Sequence, residues 1–192
     1  MRITGGQSAR RILKVPKGLD VRPTPDLVKQ AVFNSLGDRV VSAHILELFA
    51  GTGALSLECL SRGAASAVCV EKSYRHSEII RQNFQIAGFP PESVQIRVQD
   101  VFTAIPQIAA TGKQFDLLLA DPPYGEKNIG RRSVSLAQKL LDDPALPSLL
   151  TADGIFVLGH AKRDTLTVPH YWSENKSLKH GDSLMRFLRV AP

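Results

Sequence analysis

Short apolar runs alternate with amphipathic stretches from about residue 43 onward, and this alternation limits the possible folds more than any other feature of the chain. Strands are predicted over residues 44–49, 67–70, 94–98, 115–120 and 155–158. Helices are predicted over residues 54–61, 74–87, 102–109 and part of 139–150. Strands that alternate with helices form parallel, doubly wound α/β sheets. Ligands of such sheets bind at the carboxyl ends of the strands.

The two ends of the chain depart from this alternation. Residues 170–190 predict two longer strands joined at His180-Gly181-Asp182, which would add an antiparallel hairpin at one edge of the sheet. Residues 2–15 predict a small hairpin, and Thr24 and Pro25 predict the N-cap and first residue of a helix. The predicted fold class is therefore α/β: a doubly wound, mostly parallel sheet with a C-terminal hairpin, preceded by a small basic hairpin and helix.

Composition is that of a soluble globular protein, with 43% hydrophobic and 22% charged residues. No apolar stretch approaches the roughly 18 residues that cross a bilayer, and the N-terminus has no apolar segment of the secretory type. We therefore expect a cytoplasmic protein with no membrane partner. Cys59 and Cys69 form neither a Cys-x-x-Cys pair nor a set of metal ligands, so we expect a reduced, buried pair and no metal. A monomer is the default oligomeric state.

Basic charge is concentrated at the N-terminal end of the chain. Residues 1–40 hold eight basic side chains against three acids, which is +5 of the net charge of +6. Such a patch is expected of a protein that binds a polyanion, nucleic acid first, although a solvated basic surface remains an alternative. We expect residues 1–40 to be a basic, nucleic-acid-contacting extension of the α/β domain that residues 41–192 form. The predicted phosphate contacts are Arg10, Arg11, Lys14, Lys17 and Arg22.

Acidic residues lie at or just beyond the ends of four successive predicted strands, namely Glu47, Glu71, Asp100 and Asp121. The carboxyl ends of parallel strands meet at one edge of a sheet, so we expect these side chains to converge. Glycines at 51 and 53 let the first strand turn sharply and let a ligand approach the backbone. The third glycine of a pyrophosphate-binding loop is absent, because Ser56 takes its place. This pattern favours an amine-bearing cofactor over a phosphate.

Asp121-Pro122-Pro123-Tyr124 closes the fourth strand. Two consecutive prolines fix φ and remove two backbone donors, so the loop is rigid and its carbonyls are free to accept hydrogen bonds. An acid, a backbone carbonyl and an aromatic ring on one stiff loop suit the exocyclic NH₂ of a nucleobase. An ordinary turn at the end of a strand is the alternative.

The strand-end acids, the loop 47–53 (ELFAGTG) and the sequence DPPY together resemble the S-adenosylmethionine-dependent amino-methyltransferases. Arg2-Ile3-Thr4-Gly5-Gly6, Arg22-Pro23-Thr24 and residues 33–37 (FNSLG) resemble the RsmD-type bacterial 16S ribosomal RNA guanine-N2 methyltransferases. The resemblance extends to the turn at residues 179–182 and so covers nearly the whole chain. It implies a Rossmann-like methyltransferase sheet and methylation of the exocyclic N2 amine of a guanine in small-subunit ribosomal RNA, within a small-subunit particle.

The resemblance also implies roles for individual residues. Asp121 and the Pro122 carbonyl would accept hydrogen bonds from the guanine amine, and Tyr124 would stack on the extruded base. The glycine loop would pack under the methionine part of S-adenosylmethionine, with Glu47 near its amino group, Glu71 on the ribose and Asp100 on the adenine. The implied cofactor-binding set is Glu47, Phe49, Gly51, Gly53, Glu71, Asp100 and Val101.

Two positions depart from the pattern that the resemblance implies. His160 follows the fifth strand where an acid is expected, and His180 replaces an aromatic residue before Gly181. Three other functions remain open at this point. A DNA adenine-N6 or cytosine-N4 methyltransferase uses the same DPPY chemistry, but the chain has no room for a target-recognition domain. A non-catalytic RNA-binding assembly factor would not need Asp121 and Tyr124, and a dehydrogenase would need the missing third glycine.

Overall fold

The computed structural model describes residues 1–16, 24–128 and 131–192, and the predicted phosphate contacts Lys17 and Arg22 lie outside these ranges. The chain divides into two compact units, residues 1–104 and residues 105–192. The functional division expected near residue 40 stays a prediction.

The first unit contains a three-stranded parallel sheet in the order β3-β2-β1. Its strands are β1 (His44–Leu48), β2 (Ser66–Glu71) and β3 (Val94–Val98). Its helices are α1 (Asp26–Leu36), α2 (Ala54–Ser61), α3 (Tyr74–Ala87) and the beginning of α4 (Val101–Ala109). Parallel pairing places Glu47 opposite Cys69 and Glu71 opposite Val98, so successive strands end at one edge of this sheet.

The predicted N-terminal hairpin and helix are both present in the first unit. Ile3 and Arg10–Arg11 exchange backbone hydrogen bonds, with Ile3 N donating to Arg11 O at 3.0 Å and Arg10 N to Ile3 O at 2.8 Å. Helix α1 begins one residue later than predicted, since Pro25 is its N-cap and Asp26 its first helical residue, and no side chain caps it.

The second unit contains strands in the order β4-β5-β7-β6. They are β4 (Phe115–Ala120), β5 (Leu150–Ala161), β6 (Trp172–His180) and β7 (Ser183–Val190), with helix α5 (Leu136–Asp142) between β4 and β5. Strand β4 is parallel to β5, whereas β7 is antiparallel to both β5 and β6.

Strand β5 is much longer than the four apolar residues predicted. It continues through His160 to Ala161 because residues 156–161 pair with β7, which supplies backbone partners that a local apolar pattern does not reveal. The helix expected over part of 139–150 is instead α5 followed by a short 3₁₀ turn at Leu146–Leu149.

These strands make a mostly parallel α/β fold with one antiparallel hairpin, which confirms the predicted fold class. Strands β2 and β4 are mostly apolar and buried, as expected for strands that are covered on both faces. Over the described parts of the chain, we find no helix with the length and apolar character that a bilayer crossing requires.

Candidate active site

The turn after β1 is sharply bent at residues that adopt left-handed backbone angles. Phe49, Gly51 and Gly53 have φ of +56°, +55° and +72°. A non-glycine residue in this region is strained by about 1–3 kcal/mol and persists only where its surroundings hold it. Two bonds hold the turn here, from Ala50 N to Val70 O at 3.0 Å and from Gly53 N to Ala50 O at 2.7 Å. The strain at Phe49 ends β1 one residue earlier than predicted.

Glu71 ties the glycine turn to the end of β2. Its Oε2 accepts from Gly51 N at 2.9 Å and its Oε1 accepts from Ser73 N at 2.8 Å. His76 Nδ1 lies 3.5 Å from Oε1. Each carboxylate oxygen can accept a second hydrogen bond, so Glu71 orients the turn and can also receive a ligand hydroxyl.

Glu47 has a structural use that the sequence did not reveal. Its carboxylate, 3% exposed, accepts hydrogen bonds from Ser56 N at 2.9 Å and Leu55 N at 3.3 Å, at the N-terminus of α2. A negative charge at this end of a helix is favourable. Gly53 faces α3, since a Cβ there would lie 3.1 Å from Ile80 Cγ2. The predicted contact of Glu47 with a cofactor amino group stays a prediction.

The two cysteines are buried, unbridged thiols, with Cys59 on α2 and Cys69 on β2. Burial raises the pKa of both thiols well above the ordinary value of 9.0, and the charge of Glu47 raises it further. Cys59 and Cys69 are therefore protonated at neutral pH and do not act as nucleophiles.

Asp100 is exposed and accepts a hydrogen bond from Phe102 N at 2.9 Å through Oδ1 at the start of α4. Val101 beside it is buried. The Phe102 ring packs edge-on against the Phe49 ring, with centroids 6.1 Å apart. An apolar wall of two rings thus stands beside the exposed carboxylate. Phe102 was missed by sequence reasoning, and its only signal was its position two residues after a strand-end acid.

In the second unit, the DPPY loop follows directly from β4. The Asp121 carboxylate lies against Gly159 of β5, where a Cβ would stand 3.0 Å from Asp121 Cγ and closer still to Oδ1. Pro122 is buried. The Tyr124 ring is 37% exposed, and its hydroxyl lies 2.6 Å from Ser183 Oγ on β7. The loop therefore presents an aromatic surface whose far end is held by the C-terminal hairpin.

His160 lies within β5 and is buried, rather than lying in a loop. Arg186 Nε donates to its Nε2 at 3.0 Å, so Nδ1 carries the proton and bonds Ala161 O at 2.9 Å. Arg186 is itself paired with Glu174. Burial, with the nearby Arg186 charge, lowers the pKa of His160. The histidine is thus neutral and satisfied by protein partners.

The predicted phosphate-binding side chains of the N-terminal hairpin are only partly available. Arg10 is exposed, with a left-handed φ of +72°. Arg11 donates to Ile86 O at 2.7 Å and Lys14 to Gln82 Oε1 at 2.9 Å, so both also fasten the hairpin to α3. Their proposed contacts with RNA stay a prediction.

A buried charge cluster anchors the same hairpin to α2. Lys29 Nζ lies 3.1 Å from Glu58 Oε1, and both side chains are fully buried. Glu58 also accepts from Thr4 N at 2.6 Å and pairs with Arg62. Gly6 is required by close approach, because a Cβ there would overlap the Ser61 carbonyl. Thr4 and Gly6, from the motif at residues 2–6, therefore help to pack the hairpin against α2.

In the first unit, Glu71 at the end of β2 thus bonds Gly51 in the turn that also contains Phe49. The Phe49 ring in turn contacts the Phe102 ring, near Asp100 in the chain. Asp121, Pro122 and Tyr124 lie together in the second unit. The convergence of all four strand-end acids stays a prediction.

Comparison with known proteins covers almost the whole chain. Residues 1–189 match the family model described as "Conserved hypothetical protein 95". The chain is 31% identical over 188 residues to the ribosomal RNA small subunit methyltransferase D of Escherichia coli strain K12, covering 97% of this chain and 88% of that one.

Solved structures agree with this match. The yhhF protein of Escherichia coli has a TM-score of 0.78 and 30% identity, covering 99% of this chain and 97% of that one. A protein solved in complex with SAH shares the fold, with a TM-score of 0.63 and 14% identity, covering 82% of this chain and 48% of that one. The chain belongs to the conserved hypothetical protein 95 family, which is the family of the RsmD-type ribosomal RNA methyltransferases.

Proposed function

We propose that this protein transfers a methyl group from S-adenosylmethionine to the exocyclic N2 amine of a guanine in 16S ribosomal RNA. The observation that carries the proposal is the likeness to ribosomal RNA small subunit methyltransferase D over 97% of the chain. The glycine turn and the DPPY loop supply residues with chemistry suited to this reaction.

The residues in the glycine turn and at the ends of β2 and β3 have chemical groups that suit the cofactor. Glu71 offers two carboxylate oxygens for ribose hydroxyls, and the exposed Asp100 carboxylate can accept from the adenine amino group. Phe49 and Val101 supply apolar surface, and Gly51 keeps the turn free of a side chain. Glu47 would lie toward the amino group of the methionine part. The cofactor supplies a methyl group already activated by a positively charged sulfur.

The DPPY loop would hold the acceptor. The Asp121 carboxylate and the Pro122 carbonyl accept hydrogen bonds from the two N–H groups of the guanine amine, which orients the nitrogen lone pair away from them. Tyr124 stacks on the base, a contact worth about 1–3 kcal/mol. The guanine must be unpaired or extruded to reach this loop. Positioning is therefore the main contribution of the protein.

The proposed partner is ribosomal RNA within a small-subunit particle, bound by a cytoplasmic monomer. Few aromatic residues lie in the basic N-terminal segment, so it offers charge and shape to structured RNA rather than stacking surfaces. No step of the reaction requires a metal.

The test is transfer of a labelled methyl group from S-adenosylmethionine, with unmodified small ribosomal subunits, naked 16S RNA and duplex DNA offered in parallel. We expect N2-methylguanosine in RNA. N6-methyladenine or N4-methylcytosine in DNA would contradict the proposal in favour of a DNA enzyme. Cofactor binding without transfer to any substrate would instead indicate a non-catalytic assembly factor.

A further inference from the structure

The end of β5 and the turn between β6 and β7 lie together at one end of the second unit. Ser183, the first residue of β7, pairs with Ala161 of β5 on one side and with His180 of β6 on the other. Lys162 N donates to Asp182 O at 2.7 Å, which continues this contact beyond β5. These chain segments carry three exposed cations, which we name the cationic rim: Lys162, Arg163 and Lys179.

The side chains of the cationic rim are exposed, and none of them forms a hydrogen bond or ion pair with the described residues. Two other cations of the same unit do have acidic partners, since Arg132 pairs with Asp142 and Arg186 with Glu174. Cations grouped without acidic partners repel one another and are poised to bind an anion. Asp182 in the turn and the buried Asp164 directly after Arg163 are the acids of these segments, so three positive charges stand against two negative ones.

Tyr124 connects the rim to the proposed base-stacking surface. Its hydroxyl lies 2.6 Å from Ser183 Oγ, and Ser183 is the residue that pairs with both neighbouring strands beside the rim. A base stacked on the Tyr124 ring is covalently joined to phosphates on both sides. Those phosphates lie on either side of the Tyr124 ring, and Ser183, which holds the Tyr124 hydroxyl, directly follows Asp182, the backbone partner of Lys162.

We infer that the cationic rim binds the RNA backbone next to the methylated nucleotide. This inference rests on the proposed function and deepens it, because it assigns RNA contacts in the second unit in addition to those proposed for the N-terminal hairpin. The N-terminal hairpin and the cationic rim differ in whether their basic side chains already bond other parts of the protein. Arg11 and Lys14 already bond α3, whereas the rim has no such use among the described residues.

The test is the salt dependence of RNA affinity in a variant that lacks the rim, Lys162→Ala/Arg163→Ala/Lys179→Ala. Each lost phosphate contact lowers the slope of log affinity against log salt by about 0.7 for single-stranded RNA, so the slope should flatten by about 2. The matched control is Arg75→Ala/Lys113→Ala/Lys139→Ala. It removes the same number of lysines and arginines from exposed positions elsewhere, and its slope should stay at the wild-type value.

An unchanged slope in the rim variant would overturn the inference, and so would equal flattening in both triple variants, since net charge alone would then explain it. The melting temperature and cofactor affinity of each triple variant show whether it is correctly folded. If the rim variant melts early, Lys162→Gln and Lys179→Gln are measured singly, each with an expected flattening of about 0.7. Methyl transfer by the wild type is measured in the same preparations. RNA binding without transfer would contradict the proposed function, while the slopes would still decide the role of the rim.

Discussion

Replacing Gly159 by alanine tests how the Asp121 carboxylate is positioned. The added Cβ would stand 3.0 Å from Asp121 Cγ and closer to Oδ1, whereas ordinary contacts begin at 3.4 Å. Met185 Sδ, at 3.1 Å, crowds the same point from β7. The carboxylate must therefore move by roughly half an ångström to one ångström to restore normal contact distances.

A misplacement of about 1 Å in a positioned group can cost about 100-fold in rate. We therefore expect Gly159→Ala to lower kcat/KM for methyl transfer by about 10- to 100-fold, which is about 1.4–2.7 kcal/mol of transition-state stabilisation. Cofactor affinity should be unchanged, because the atoms that the added Cβ crowds belong to Asp121 and Met185, and neither residue is proposed to bind the cofactor. Labelled methyl transfer and calorimetric titration with S-adenosylmethionine measure the two quantities separately.

The matched control is Gly154→Ala on the same strand. A Cβ at Gly154 would also be crowded, at 2.8 Å from Leu150 Cδ2 and 3.0 Å from Thr151 O, but it does not touch Asp121. General damage to β5 would lower the activity of both variants equally. That result, or a Gly159→Ala enzyme with the wild-type rate, would refute the reasoning.

The remaining predictions concern the acceptor residue and two buried groups. Asp121→Ala should abolish methyl transfer and leave cofactor affinity nearly intact, and a wild-type rate would remove Asp121 from the mechanism. Lys29→Met should destabilise the protein by about 1–3 kcal/mol in urea unfolding, because the buried Glu58 loses its lysine partner and keeps Arg62 and Thr4; an unchanged free energy of unfolding would contradict this. Burial and the Arg186 charge lower the pKa of His160 below the ordinary value of 6.5, so the unfolded chain binds a proton there more readily than the folded one. The stability contributed by neutral His160 should be complete above pH 6.5 and fall as the pH drops below that value. Replacing His160 by Gln should reduce this pH dependence of the unfolding free energy, and an identical pH profile would argue against it.

Local patterns in the sequence were sufficient for most of the fold. The bounds of α2, α3, β3 and β4 agree with the predicted ones, because strand and helix periodicities are set by residues close together in the chain. The length of β5 was not predictable in this way. Its last residues pair with β7, about 25 positions later, and pairing partners at that distance leave no local periodicity.

In the candidate site, too, some features follow from neighbouring residues in the sequence and others depend on residues far apart in the chain. Residue type and position after a strand led to the selection of Glu71, Asp100 and the DPPY loop, because ligands of parallel sheets bind at the carboxyl ends of the strands. Only the tertiary structure decided that the Glu47 carboxylate receives the first amides of α2.

The sequence by itself therefore determined the order of the strands and helices and the chemical groups at the strand ends, since both depend on neighbouring residues. The tertiary structure alone decided which charges are buried together, as in the pair Lys29–Glu58. It also decided which side chains touch, as with Asp121 and Gly159. Burial and contact depend on residues that are far apart in the chain and become neighbours only when it folds.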